Sequence, residues 1–150
     1  MPPGQRRVKM TRDDRGFTLI ELMIVVVIIG ILAGISIPNL LVMEARAKEA
    51  SVKSNMHTLR LAMEDFAVQT LGSYADNEAS TTPSGQTLEQ LCPGRAFPTN
   101  PFTGAATNVV WDADPAVSGE IGINPSDVNH YVIKGFGKDA PLTTILEDGI

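Results

Sequence analysis

One carboxylate stands where a carboxylate is costly. Glu21 is the fifth residue of the run FTLIELMIVVVIIGILAGISIPNLLVM, residues 17–43, and nothing from 22 to 43 carries a charge. On insertion scales such a group costs about 2.5–3.5 kcal/mol at mid-bilayer and less toward the interface. It calls for a named partner. The next cation along the chain, Arg46, lies about 37 Å away on the axis of a straight helix. A cut after Gly16 changes the chemistry, because Phe17 then gains a free ammonium group. That charge on one subunit can pair with Glu21 of another, whereas a lone subunit offers the carboxylate no nearby side-chain partner.

The remaining reactive residues form no catalytic set. His57 falls off the apolar stripe of a helix and reads as solvated, and His130 opens a strand. The two have no ligand-like spacing, and no Ser/His/Asp or Cys/His arrangement accompanies them. No residue is assigned to catalysis. Cys92 is the single cysteine, so an intrachain disulfide is excluded and a small buried residue beside Leu91 is the simpler reading. Trp111 reads as core. Asp112, Asp114, Glu120, Asp127 and Asp139 gather in the C-terminal half, where carboxylates and loop carbonyls suit calcium. Asp112, Asp114 and Asp127 are the metal candidates, set against a plain solvated acidic surface, since no recognisable calcium loop is present.

The elements that position Glu21 follow from composition. Residues 1–16 carry five Lys/Arg against two Asp, a net +3, with no apolar periodicity. Twenty-seven helical residues from Phe17 span about 40 Å, more than the hydrocarbon layer of about 30 Å. A basic start before an apolar segment keeps the N-terminus cytoplasmic and exports the rest. A removable secretory signal has a shorter apolar core, followed by its cleavage site; here the processing site precedes the apolar run, which stays with the protein. Beyond Met43 the chain carries seven Lys/Arg against fourteen Asp/Glu, a net −7, which argues against nucleic acid as a partner.

Residues 44–71 are rich in helix formers, and Val52, Met56, Leu59, Met63 and Phe66 recur at helical spacing as one apolar stripe. Gly72 stands where a terminating glycine belongs. One helix is expected from about 17 to 71, bent at Pro38. Gly30 and Gly34 form a Gly-x3-Gly pair that lets helices approach closely in lipid, or they are simply the glycines common in membrane helices. A long Ser/Thr/Pro/Gly connection follows, with Phe97 and Phe102 pinning it to the helix. Strands are expected at 108–111, 120–123 and 130–136, with turns at 112–119 and 124–129. The expected fold is α+β: a long helix whose second half packs on a small antiparallel sheet. Its divisions are 1–16 (leader), 17–43 (membrane half), 44–72 (amphipathic half) and 73–150 (exported part).

The stretch GFTLIELMIVVVIIGILAGISIPNLL resembles the N-terminal signature of type IV pilins and of type II secretion pseudopilins. The likeness covers about residues 15–48 and includes Gly16, Phe17, Glu21 and Pro38. NPFTG at 100–104 and YVIKGFGKD at 131–139 are similar to the globular parts of major pseudopilins and short pilins. The resemblance implies cleavage between Gly16 and Phe17 by a prepilin peptidase and methylation of the new Phe17 amino group. It implies that Glu21 recruits subunits into a homopolymeric filament, and that calcium binds in the C-terminal region. The implied partners are an inner-membrane assembly platform with its ATPase, minor pilins or pseudopilins, and membrane lipid. The implied location is the bacterial inner membrane, then a periplasmic or surface filament. A pilus and a secretion pseudopilus both fit. Lack of a cysteine pair and a small C-terminal region tilt toward pseudopilin-like or short-pilin forms. A non-polymerising anchored binding domain is the rival from another class.

Overall fold

A computed structural model describes residues 16–127 and 129–147 of the chain. Apart from Gly16, the expected leader at 1–16 lies outside the described residues. Helix α1 runs Leu19–Gln69 and contains Pro38. Two compact units divide after Leu40. In the first, α1 is the one element among the described residues, and the large apolar side chains from Phe17 and Leu19 to Ile37 and Leu40 are all exposed. The helix is long and apolar enough to cross a membrane.

The second unit holds the core. The stripe expected from spacing is the buried face of α1: Val52, Met56, Leu59 and Met63 are fully buried and Phe66 nearly so. It packs on a sheet of β1 (Val109–Trp111), β2 (Ile121–Asp127), β3 (His130–Phe136) and β4 (Pro141–Glu147), in that order. Ile121, Ile123, Tyr131, Ile133 and Leu146 supply the sheet side of the core. Gly135 lets β3 approach the helix, since an added Cβ would lie 2.7 Å from Met56 Sδ.

The sheet is mixed rather than antiparallel. β2–β3 and β3–β4 are antiparallel, but β1 pairs with β2 in parallel, Val109 opposite Ile121. Parallel neighbours normally need a crossover of about a dozen residues, and only 112–120 are available here. Left-handed backbone at Asp112 (φ 54°) and Gly119 (φ 78°) turns the chain at either end of that connection. Glu120, 7% exposed, holds it shut by accepting the Ala116 and Val117 N–H groups at 2.7 and 3.2 Å and the Asn108 side-chain amide. The turn expected at 124–129 is mostly strand, because β2 continues to Asp127. Sequence spacing also missed β4. Its leading Pro141 is tolerated because it sits at the first residue of an edge strand.

The connection from 73 to 108 is packed by its own side chains. Helix α2 (Leu88–Leu91) and a 3-10 turn (Pro93–Arg95) follow one another, and Leu88 and Cys92 are buried there. Burial pushes the Cys92 thiol up to about 11, with the nearby Glu89 charge adding to the effect. Phe97 and Phe102 are half-buried against the core, as expected. Within 100–104, Asn100 is nearly buried: its Oδ1 accepts the Phe102 N–H at 2.8 Å and its amide donates to Ser118 O at 3.0 Å.

The end of α1 departs from the expectation at Gly72. The first left-handed residue is Leu71 (φ 63°), and Gly72 (φ 102°) follows, its N–H reaching back to Ala67 O at 2.8 Å. This six-residue closure places a leucine where glycine is preferred. Leu71 is 98% exposed, so it gains no packing in return. Leu71→Gly should stabilise a fragment starting at Glu44 by about 0.5–1 kcal/mol, read by urea denaturation. A loss of stability would show that the leucine side chain contributes more than its backbone strain costs.

Candidate assembly and processing site

The first helical turn places the sequence's central residues together. Gly16 and Phe17 are exposed, Phe17 at 79%. Thr18 caps α1: its C=O accepts the Leu22 N–H at 3.2 Å, and its Oγ1 accepts the Glu21 N–H at 3.3 Å. Glu21 reciprocates from the third helical position, its Oε2 accepting the Thr18 N–H at 2.9 Å and the Thr18 hydroxyl at 2.7 Å. This is a Thr-x-x-Glu capping box, two orphan donors satisfied reciprocally.

The expectation that Glu21 lacks a nearby side-chain partner in a lone subunit is therefore corrected. Thr18 is that partner. The signal was present in T-x-x-E just before an apolar run, and looking only for a cation passes over a neutral donor. Among the described residues the charge itself stays uncompensated. Thr18 supplies dipoles, and the helix N-terminus adds favourable potential, but no opposite charge touches the carboxylate in the described residues.

Farther along, an added Cβ on Gly30 or Gly34 would meet nothing within 4 Å, so both present open backbone to a neighbour. Pro38 lies within α1 without ending it and cannot donate to the Gly34 carbonyl four residues earlier.

A second carboxylate was not singled out by the sequence. Glu64 Oε1 accepts the Tyr131 hydroxyl at 2.9 Å, and Oε2 accepts that of Tyr74 at 3.2 Å. The two rings meet edge-on, centroids 4.6 Å apart. Burial, then the bond to Glu64, pushes the Tyr131 phenol well above its usual range. The cluster ties α1 to β3 and to the segment after the helix, which is a structural task. His130 and Leu71 line a hollow of about 590 Å³ beside it. His57 is exposed and Trp111 is half-buried at the core's edge.

The three metal candidates are not brought together. Asp112 and Asp127 line a hollow of about 460 Å³ with Asp76, Asn77 and Ser126, and Asp114 is not among its lining residues. Asp114 is engaged elsewhere. Its Oδ1 meets Lys134 Nζ at 2.7 Å and accepts the Asn124 amide at 3.3 Å, and the Lys134 ammonium holds its carboxyl below the usual range. Among the described residues no group of three His, Cys, Asp or Glu side chains is placed to hold a metal. A calcium ion at Asp114 would have to displace Lys134. Asp114→Asn should thus leave unchanged any response of the Glu44-onward fragment's melting temperature to millimolar calcium, whereas an ion held by Asp114 would lose its mass-action stabilisation.

Comparison with known proteins bears on both ends of the chain. The family described as "Prokaryotic N-terminal methylation motif" matches residues 11–37. The type IV major pilin protein PilA of Myxococcus xanthus is 57% identical over 53 residues, 35% of this chain but only 24% of that protein. The type IV wide pilus major component PilA4 of Thermus thermophilus is 41% identical over 69 residues, 46% of this chain and 52% of that protein. The type II secretion system core protein G of Escherichia coli is 31% identical over 148 residues, 95% of this chain and 93% of that protein. No solved structure matches the chain. The motif match covers Gly16, Phe17 and Glu21, and the core protein G match spans the helix and the sheet alike, so the chain belongs to the type IV pilin-like family that holds both type IV pilins and the type II secretion core protein G.

Proposed function

We propose that this chain is a structural subunit of a helical type IV pilus-like filament. It is made as a membrane-anchored precursor with a cytoplasmic N-terminus. A prepilin peptidase cuts it between Gly16 and Phe17 and methylates Phe17, and an inner-membrane platform with its ATPase then polymerises it through α1. The observation that carries this reading is the exposure of every large apolar side chain from Phe17 to Met43. Such a surface must leave water through something other than the chain itself, first lipid and then other copies. Gly30 and Gly34 give the close approach such packing uses, and the first turn carries the pairing group.

The mechanism rests on Glu21. Before assembly the capping box satisfies its lone pairs with the Thr18 N–H and hydroxyl. Cleavage creates the Phe17 ammonium, and in a filament the ammonium of one subunit meets the carboxylate of another in a low-dielectric setting. Leaving such a charge unpaired there costs about 3–5 kcal/mol. No step in this scheme is catalysed by the chain.

A second reading has a specific observation in its favour. The match to core protein G runs through the sheet unit, whereas the pilin matches cover less than half of this chain. A major pseudopilin driving protein export uses the same cleavage, anchoring and polymerisation, so the Glu21 mechanism serves both readings.

Two measurements test the scheme. Intact-mass analysis of protein from its native host should show loss of residues 1–16 and one added methyl group, and an uncut, functional, membrane-inserted protein would refute it. Glu21→Ala and Glu21→Gln separate charge from capping, because glutamine keeps an acceptor for Thr18 and loses the charge. Both variants should insert and be cleaved, and both should fail to form filaments in sheared surface fractions under electron microscopy. Normal filaments from Glu21→Gln would mean that capping, not charge pairing, is what assembly requires.

A further inference from the structure

Two turns far apart in sequence meet α1 at one level of the second unit. The turn at 100–104 sets the Phe102 ring 5.9 Å from Lys48 Nζ. The turn joining β3 to β4 is held by three bonds. Gly137 N–H donates to Ala140 O at 2.8 Å, Ser118 Oγ–H to Lys138 O at 2.6 Å, and Lys138 N–H to Glu49 Oε1 at 3.4 Å. Both turns lie against residues 41–49 of α1. The apolar run ends within that stretch, since Met43 is its last residue and Glu44 the first charge after Glu21.

Two open hollows sit there, about 160 and 340 Å³, sharing Leu41, Ala45 and Lys138. Leu41, Val42, Ala45 and Phe102 supply their apolar lining, and Leu41 and Val42 are exposed. Their rim is charged in both signs: Arg46, Lys48 and Lys138 against Glu44, Glu49 and Asp139. Some of these charges already answer each other, as Lys48 Nζ lies 2.9 Å from Glu44 Oε1. Equal numbers of cations and carboxylates give the rim no net attraction for an anionic surface. They match a ligand that carries both signs a few ångströms apart above an apolar tail.

We propose that this collar binds zwitterionic phospholipid headgroups where α1 leaves the membrane. The proposal rests on the membrane-anchored reading above and adds the ligand and its site. The lipid phosphate meets Lys138 and Lys48, its ammonium meets Glu44, Glu49 or Asp139, and the upper acyl chain covers Leu41 and Val42. The Phe102 ring, beside Lys48, adds apolar surface for the acyl chain at the same level. Lysine stems reach past apolar surface to headgroup level. The collar sets the depth of the sheet unit before assembly, and extraction into a filament must strip these lipids away.

The test uses the full-length chain reconstituted in phosphatidylcholine vesicles, with Phe102→Trp as reporter and the Trp111 signal of the unsubstituted chain subtracted. Lipids brominated near the carboxyl end of the acyl chain should quench the indole introduced by Phe102→Trp, and lipids brominated near the methyl end should not. Lys138→Glu should weaken that quenching, and replacing phosphatidylcholine by phosphatidylglycerol should not strengthen it. Ala140→Trp, on the exposed turn beside Lys138, gives an independent reporter if Phe102→Trp fails to fold. A chain that floats with the vesicles while neither reporter is quenched overturns the collar and leaves the anchor standing. Quenching only with phosphatidylglycerol overturns the zwitterionic assignment. A chain that does not float overturns the anchored reading and the collar with it.

Discussion

The first half of α1 has an apolar surface that nothing else in the described chain covers, and the other features of the protein accommodate this. A helix whose large side chains are exposed from Phe17 to Met43 has no favourable state in water by itself. Membrane burial is one solution, and packing among copies is the other. The second unit must therefore be stable without help from the first, whichever surroundings the first occupies. It meets that demand by burying one stripe of α1, Val52 to Phe66, against a four-stranded sheet, with Ala75, Leu88 and Cys92 closing the remaining side.

Three carboxylates work as fasteners at different places in this design. Glu21 closes the first turn of α1 through Thr18. Glu64 joins two tyrosines from separate segments, and Glu120 pins the short connection between two parallel strands. In each case a carboxylate with several lone pairs gathers N–H or O–H donors, which gives bonds stronger than neutral pairs. The difference lies in exposure. Glu120 is buried and its partners are fixed, whereas Glu21 is exposed and, among the described residues, held by its own turn. A local partner that satisfies hydrogen bonds without neutralising charge keeps Glu21 ordered and still available to a cation. This reconciles an acidic residue in an apolar helix with the proposed role of Glu21 in joining subunits.

The relatives match very different lengths of the chain. Similarity to the Myxococcus pilin is high but confined to 53 residues, whereas similarity to core protein G is lower and extends over 148. Membrane and filament packing constrain nearly every side chain of an exposed helix. A small sheet on a helix requires only compatible volumes and registers, so its sequence is freer to vary.

Local periodicity determined what was legible in the sequence. The apolar run, the buried stripe of α1 and the bounds of β3 all follow from side chains a few residues apart. So does the Thr18–Glu21 box, a neutral pairing at a place where only a cation was expected. Tertiary structure alone decided the parallel pairing of β1 with β2 and the recruitment of Pro141–Glu147 as an edge strand. It also decided that Asp114 faces Lys134 while Asp112 and Asp127 share a hollow with Asp76, and that Glu64 meets Tyr131, 67 positions away. The physical reason is range. Helical and strand periods are written in neighbouring residues, but a strand's partner and a carboxylate's donor are fixed only when the sheet closes on the helix and brings distant segments within hydrogen-bonding distance.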